Sequence, residues 1–418
     1  MLPMMVAKKL LEPLRVLIGR FISSAGAILI TVLALREFPL EESGKFLLAF
    51  TTLTGVAILT QFGQNLSIIR ESAAPDLSPE DAADTFYSAA AAVFVPCVVI
   101  SAVLAILSAL QKSPADPVQL LWIAIIPCGL QGIISSYFKG RGYGGWGGFW
   151  EQGIAAAFAC IAFMILPLQT ANQAWLIYSG FLWLALIISS LHLISLRLLA
   201  KPQHWRSYWR FDTYIDAKYL GLIALLSYLS QWGGVLLAKF MIGDAGVAVL
   251  NGLYRLLAPL QFVILTLDSF LAPKFSKASA EGVRAYLRIG RALGLMAAIP
   301  YVAVALYFSK EILNYLFGES GPAYAFDLAL LLLAVLIQMA LGPTGICLNM
   351  RRHDQITFGI LILKTGISFV GALMIVPFAG FSGFVYMFTL SIMVQAIFQF
   401  IYVQRDISLS IGERGARI

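Results

Sequence analysis

Residues 86–108 read FYSAAAAVFVPCVVISAVLAILS, a run without a single charged side chain. About 20 apolar residues in helical form cross the hydrocarbon of a bilayer. The run is too long for a strand and lacks the in–out alternation of an outer-membrane barrel. Pro96 interrupts it, which would be costly in a soluble helix. In a membrane bundle, neighbouring helices and cavity water satisfy the freed backbone groups. Residues 86–108 therefore predict a membrane-spanning helix.

The same pattern recurs to either side. Further spans are expected near 14–35, 46–68, 118–138, 150–170 and 174–197. A second set is expected near 219–242, 248–271, 292–308, 323–349, 356–376 and 381–403. The composition agrees, with 60% apolar and 12% charged residues and a mean hydropathy of +0.84. Soluble domains carry about 25% charged residues. The expected fold is an all-α integral membrane protein of about 12 transmembrane helices. Cys97, Cys128, Cys160 and Cys347 stand singly in apolar spans with no CxxC, so they read as buried small hydrophobes rather than redox or metal groups. Residues 1–13, with Lys8 and Lys9, read as a basic interfacial segment and not a cleavable signal.

Charge sets the orientation. With the N-terminus inside, cytoplasmic segments collect most of the 29 basic residues, among them Arg70, Lys139, Arg141, Lys218, Lys274, Arg284, Arg288, Arg291, Arg351 and Arg405. External segments keep Arg36, Lys45, Lys112, Lys310 and, at a helix end, Lys239. Cytoplasmic loops of membrane proteins gather Lys and Arg in this way, so both termini are expected in the cytoplasm. The basic loops 198–218 and 272–291 follow from this topology and from attraction to anionic lipid headgroups; nucleic acid is not an expected partner.

The polar break at 198–218 divides the spans six and six. The expected organisation is an interfacial segment at 1–13, a six-helix lobe at 14–197 and a cytoplasmic linker at 198–218. A second six-helix lobe at 219–403 and a cytoplasmic tail at 404–418 complete it. A weak internal echo relates the lobes: Gly44-Lys45-Phe46 and Ala248-Val249-Leu250 open spans two and eight at the same offset that carries Arg70 onto Lys274. An even number of spans per lobe gives parallel repeats, an arrangement common in transporters. Pro127, Pro259, Pro300 and Pro343, with Gly233, Gly234 and Gly342, place bends and close contacts inside the spans.

Ionisable groups inside spans are the sharpest pointers to function, because each costs roughly 2.5–3.5 kcal/mol at a helix centre on insertion scales. At about 1.5 Å per residue, Lys364 lies roughly 12 Å from the cytoplasmic end of span eleven. Arg255 is expected roughly 10 Å from the external end of span eight, and Arg20 roughly 9 Å inside span one. These three cations either line a cavity or snorkel to the interface. Asp268 and Glu151 are expected near cytoplasmic span ends, leaving no acid near a span centre. Uncompensated cations suit an anionic substrate group such as a diphosphate, whereas an exporter of cationic drugs would need a buried carboxylate. Among neutral polar residues, Gln231, Gln338 and Gln395 are expected near mid-membrane, and Gln61, Gln64, Asn65 and Gln261 lie in spans two and eight. They could bond sugar hydroxyls or join helices, and both readings stand.

Nothing points to an enzyme. His192, His204 and His353 fall near cytoplasmic ends, far apart, and no nucleophile with a base or metal spacing is present. The glycine run 140–148 follows a membrane helix rather than a strand, so it reads as a turn and not a phosphate loop. No cofactor or metal site is expected. With no ATPase module, energy would come from an ion gradient, the membrane potential or the substrate gradient.

Leu237-Ala-Lys-Phe-Met-Ile-Gly243 followed by Val247-Ala-Val-Leu-Asn-Gly-Leu-Tyr-Arg-Leu256 resembles the seventh-to-eighth span signature of the Wzx-type O-antigen flippases. These polysaccharide transporters belong to the multidrug/oligosaccharidyl-lipid/polysaccharide (MOP) exporter superfamily. Leu267–Lys277, Thr60–Arg70 and Leu313–Gly318 are similar in order and spacing to the family's pattern, while Ala248 and Leu250 depart from its usual Gly and Tyr. The resemblance implies a two-lobed, V-shaped bundle in a bacterial inner membrane. It would turn an undecaprenyl-diphosphate-linked oligosaccharide from the inner to the outer leaflet for O-antigen, capsule or exopolysaccharide assembly. It further implies a cationic lumen, for which Arg20, Arg255 and Lys364 are the candidates, and a polymerase and a length regulator as partners. Ion-coupled multidrug exporters share this fold and are the alternative.

Overall fold

The computed structural model describes residues 21–22, 25–73, 78–111, 116–151, 153–166, 168–199, 212–275, 278–351 and 353–415. The chain divides into two compact units, residues 1–225 and 226–418. Among the described residues there are helices and turns and no strand. Eight helical stretches are long and apolar enough to cross a membrane, with shorter apolar helices at Gly153–Ile165 and Ala258–Ala272.

The helices of the first unit are α1 (25–37), α2 (Leu40–Gln61), α3 (Gln64–Ser72), α4 (Pro79–Leu110), α5 (Trp122–Gly140), α6 (Gly144–Phe149), α7 (Gly153–Ile165) and α8 (Ala171–Ser195). Starts are set by side-chain caps. Ser78 accepts from Asp81 N with Pro79 in the first turn, and Thr170 accepts from Gln173 N, each satisfying a backbone donor that the helix leaves open. Helix α5 is the hub, packing on α2, α3, α4, α6 and α8. At the other end of the unit Phe46 meets the rings of Phe163, Trp175 and Tyr178. Trp175 is fully buried there and gives its indole N–H to Leu120 O at 3.0 Å.

Helix α9 (Asp212–Leu256) runs across the division at residue 225. Beyond it come α10 (Ala258–Phe275), α11 (Ala280–Tyr307), α12 (Ser309–Phe317), a 3-10 turn at Gly318–Tyr324, α13 (Ala325–Leu341), α14 (Thr344–Met350), α15 (Asp354–Ala379) and α16 (Phe381–Gly415). Helix α16 is the hub of the second unit, against α11, α13, α14 and α15.

Each expected span meets helix, and the expected spans without a qualifying stretch are one, four (α5), five and eight. Span one is described only in part, span five is the short α7, and span eight is divided between the end of α9 and α10. The expected span ten is broken between α13 and α14 at Gly342–Pro343. The expected linker 198–218 falls largely outside the described residues, and the division of units lies within α9. Helix α2 starts at Leu40 and the second arm of α9 at Asp244, while α3 closes at Ser72 and α10 at Phe275.

Candidate functional site

Helix α9 is two arms joined at Gly243, whose φ of 74° and ψ of −174° interrupt the helix. An L side chain is disfavoured at this φ, and glycine adopts it freely. The arms fold back on each other. Gly234 faces Leu250 and Tyr254, and Trp232 meets Tyr254 with ring centroids 6.1 Å apart. Residues equally far from Gly243 are therefore level across the pair. Gln231 lies twelve positions before it and Arg255 twelve after, roughly 18 Å from the turn. That is mid-depth in a hydrocarbon layer of about 30 Å. The second arm starts at Asp244, so Arg255 is deeper than the roughly 10 Å expected from a span opening at residue 248.

At this depth the sequence builds a polar and aromatic cluster. The Arg255 guanidinium carbon stands 4.7 Å from the centroid of the Trp232 ring, a cation–π arrangement that favours charge in a desolvated place. Gln231 Nε2 donates to Gln261 Oε1 at 2.9 Å, tying α9 to α10. Tyr254 is buried and stacks on Phe388 of α16, with centroids 4.3 Å apart and planes at 27°. Gln231, Trp232, Arg255 and Gln261 are all half-buried. A half-exposed polar group at mid-membrane is costly against lipid, and such groups face a bundle interior or water.

Lys364 is half-buried on α15. Among the described residues no carboxylate lies within ion-pairing distance of it. Thr365 Oγ1 donates to Leu226 O at 3.4 Å, which levels Lys364 with the stretch of α9 roughly 8 Å toward its N-terminal end from Gln231. Gly233 lets α15 approach this closely, because a Cβ there would lie 1.9 Å from the Phe369 ring. Arg20 lies outside the described residues.

The remaining candidates separate by environment. Gln61 is buried and donates to Gly129 O of α5 at 3.2 Å, serving a helix–helix contact. Gln64 is buried at the start of α3, and the carbonyl of Asn65 accepts from Leu66 N at 2.9 Å. On α16, Gln395 keeps a buried carbonyl oxygen without a hydrogen-bond partner among the described residues. Gln338 is half-buried on α13. Thus α9 and α10 bring Gln231, Gln261 and Arg255 together; Gln61, Gln64 and Asn65 belong to the first unit.

Several other charges have structural partners. Lys239, expected to snorkel, pairs with Asp244 at 2.5 Å across the Gly243 break. Lys139 pairs with Glu151 at 2.6 Å, and Asp406 of α16 receives both Arg351 at 2.5 Å and His353 at 3.1 Å. His192 accepts from the Trp150 indole at 3.0 Å. Arg291 donates to Leu341 O at 3.4 Å, at the broken end of α13. Asp268 is half-buried in α10, and Asp327 is buried in the first turn of α13, where its Oδ2 accepts from Ser382. Among the described residues no group of three or more His, Cys, Asp or Glu could hold a metal ion. All four cysteines are free and buried.

Sequence reasoning missed Trp232, Tyr254 and Phe388. The available signal was Gly243 itself: a glycine closing one span and opening the next pairs positions at equal distances on either side.

The profile of the family described as polysaccharide biosynthesis protein matches residues 16–279. No curated protein matches the sequence. Among solved structures, a MOP superfamily transporter from Pyrococcus furiosus, described for the reversed polarity of its binding pocket, is similar at a TM-score of 0.65 and 15% identity, over 95% of this chain and 94% of that one. A multidrug resistance MATE family transporter of the MOP superfamily is similar in its outward-facing conformation at a TM-score of 0.67 and 16% identity, over 95% and 94% of the two chains. Such a transporter in its inward-facing conformation gives 0.63 and 18%, over 93% and 96%. At these identities the likeness is one of fold. The chain belongs to the polysaccharide biosynthesis protein family and is a multi-pass membrane protein with the fold of MOP superfamily transporters.

Proposed function

We propose that this transporter moves an undecaprenyl-diphosphate-linked oligosaccharide from the cytoplasmic to the outer leaflet of a bacterial inner membrane by alternating access. Both termini would be cytoplasmic. The product would feed assembly of a surface polysaccharide (O-antigen, capsule or exopolysaccharide), with a polymerase and a length regulator as partners in the same membrane.

The observation that carries the reading is Arg255 at mid-depth, on the Trp232 ring and level with the Gln231–Gln261 pair. A guanidinium presents paired N–H donors that match a phosphate bidentately, and such charge-assisted bonds are strong. Lys364 would supply a second cation along the path, and Arg20 a third. The family match to polysaccharide biosynthesis supports the same cargo. Pocket polarity was the feature taken to suggest a different function for the Pyrococcus furiosus transporter of this fold, and cations favour an anionic cargo over a cationic drug.

The test is a liposome assay with purified protein, following an undecaprenyl-diphosphate oligosaccharide between leaflets. Turnover by the native chain, lost in Arg255→Ala or Lys364→Ala, is the expected result. Absence of turnover across several sugars, with movement of an organic cation instead, would assign the chain to drug export.

A further inference from the structure

A pyranose ring has two faces lined by C–H bonds and a rim of hydroxyl groups. A site for one therefore needs an aromatic plane for the face and amide-like groups for the rim. The cluster around Gln231 supplies both within two turns of helix, beside a cation. We infer that Trp232 and the Gln231–Gln261 pair form a subsite for the sugar bonded directly to the diphosphate. The inference rests on the proposed function above.

The indole is half-buried, with Arg255 over one face. Tyr254 forms a T-shaped pair with it, the planes at 63°. Tyr254 is in turn fixed against Phe388. This backing holds the indole plane in place, and among the described residues no further ring or cation lies against it. Indole is a donor only, and among the described residues the Trp232 N–H has no protein acceptor.

The amide pair is half-used. One N–H of Gln231 goes to one lone pair of Gln261. An amide side chain carries two donors and a carbonyl acceptor, so the second N–H of Gln231, its carbonyl and both N–H donors of Gln261 remain. Neither side chain has another partner among the described residues. Two glutamines used only to join helices would be satisfied by a residue pair of lower polarity. Leaving donors and an acceptor open at mid-membrane is costly, and the rim of a sugar provides what they lack.

Position identifies which sugar. Trp232 follows Gln231 directly and carries Arg255 on its face. A diphosphate held by Arg255 puts the first sugar, one glycosidic oxygen away, beside the indole and the two amides. Later sugars of the chain would lie beyond the cluster. The transporter would thus recognise the diphosphate–sugar junction.

The experiment compares binding of two probes to the purified full-length protein in detergent: bare undecaprenyl diphosphate, and the same carrier bearing one hexose or one N-acetylhexosamine. The native protein is expected to bind at least one sugar-bearing carrier more tightly than the bare one. Trp232→Leu, and separately Gln231→Leu with Gln261→Leu, should erase that increment, roughly tenfold, so that the sugar-bearing and bare carriers bind alike. Trp232→Phe, which keeps an aromatic plane, should retain most of the increment and shows that loss in Trp232→Leu is not misfolding. If the native protein shows no increment for either sugar, or if Trp232→Leu weakens both probes equally because the indole only shields Arg255, the subsite is overturned. If the native protein binds neither probe, the diphosphate reading itself has failed, and the subsite falls with it.

Discussion

Gly132→Ala tests whether Gln61 joins helices or serves a substrate. Gly132 lies on α5, where an added Cβ would stand 2.1 Å from Gln61 Nε2 and 2.8 Å from its Cδ. Non-bonded carbon contacts settle at about 3.5–4.0 Å, so Gln61 must withdraw from the α5 surface and release Gly129 O. Overpacking of this kind costs about 1–3 kcal/mol, and the lost interhelical bond adds about 0.6 kcal/mol. The better helix propensity of alanine returns up to about 1 kcal/mol. The net destabilisation is about 2 kcal/mol, which in a unit of this size lowers the apparent Tm by on the order of 5 °C. Thermal unfolding of the purified protein in detergent measures it. In a Gln61→Ala background the opposing side chain is gone, and Gly132→Ala should become neutral or slightly stabilising. An equal cost in both backgrounds would refute the argument, as would loss of transport per folded molecule in Gln61→Ala alone.

Two further outcomes follow from ion pairs. Asp244→Asn removes the partner of Lys239 across the Gly243 break, where the side chains are 31% and 17% exposed; the cost should be about 0.5 kcal/mol, and a difference in Tm from the native protein that persists unchanged in about 1 M salt, where screening is strong, would contradict an electrostatic origin. Asp406→Asn releases Arg351 and His353 together, so limited proteolysis should cut sooner near Arg351 or Arg405, and an unaltered cleavage pattern would show that the cluster does not secure this end of α16.

The fold was legible because each span must be apolar over a length fixed by the bilayer, and no tertiary detail is needed to see that. Residues 86–108 are helical throughout within α4. What sequence could not show were the interruptions. Gly342–Pro343 breaks the expected span ten, and α7 closes at Ile165, five residues before the expected end. Both depend on packing partners rather than on hydropathy.

The candidate site was legible by residue type and less so by arrangement. Arg255, Gln231 and Gln261 stand out as polar residues in apolar runs, and the structure brings them together. Gln61 carries the same signal but is spent on Gly129. Composition cannot separate the two, because an amide facing a cavity and an amide facing a neighbouring helix have the same cost in lipid. Trp232 was hidden for the opposite reason. An aromatic residue in a span is expected everywhere, and its role rests on the residue that the Gly243 turn sets against it.

The fold-back at Gly243 also constrains how this gene can change. Deleting one residue from either arm would turn everything beyond it by about 100° and shift it by about 1.5 Å relative to the other arm. Trp232 would then no longer meet Arg255, although every span would remain long and apolar enough to insert. Length changes between residues 231 and 255 should therefore survive only as compensated pairs, one in each arm, while point substitutions on the outward faces accumulate freely. Phe240, 88% exposed one turn before the break, is such a position.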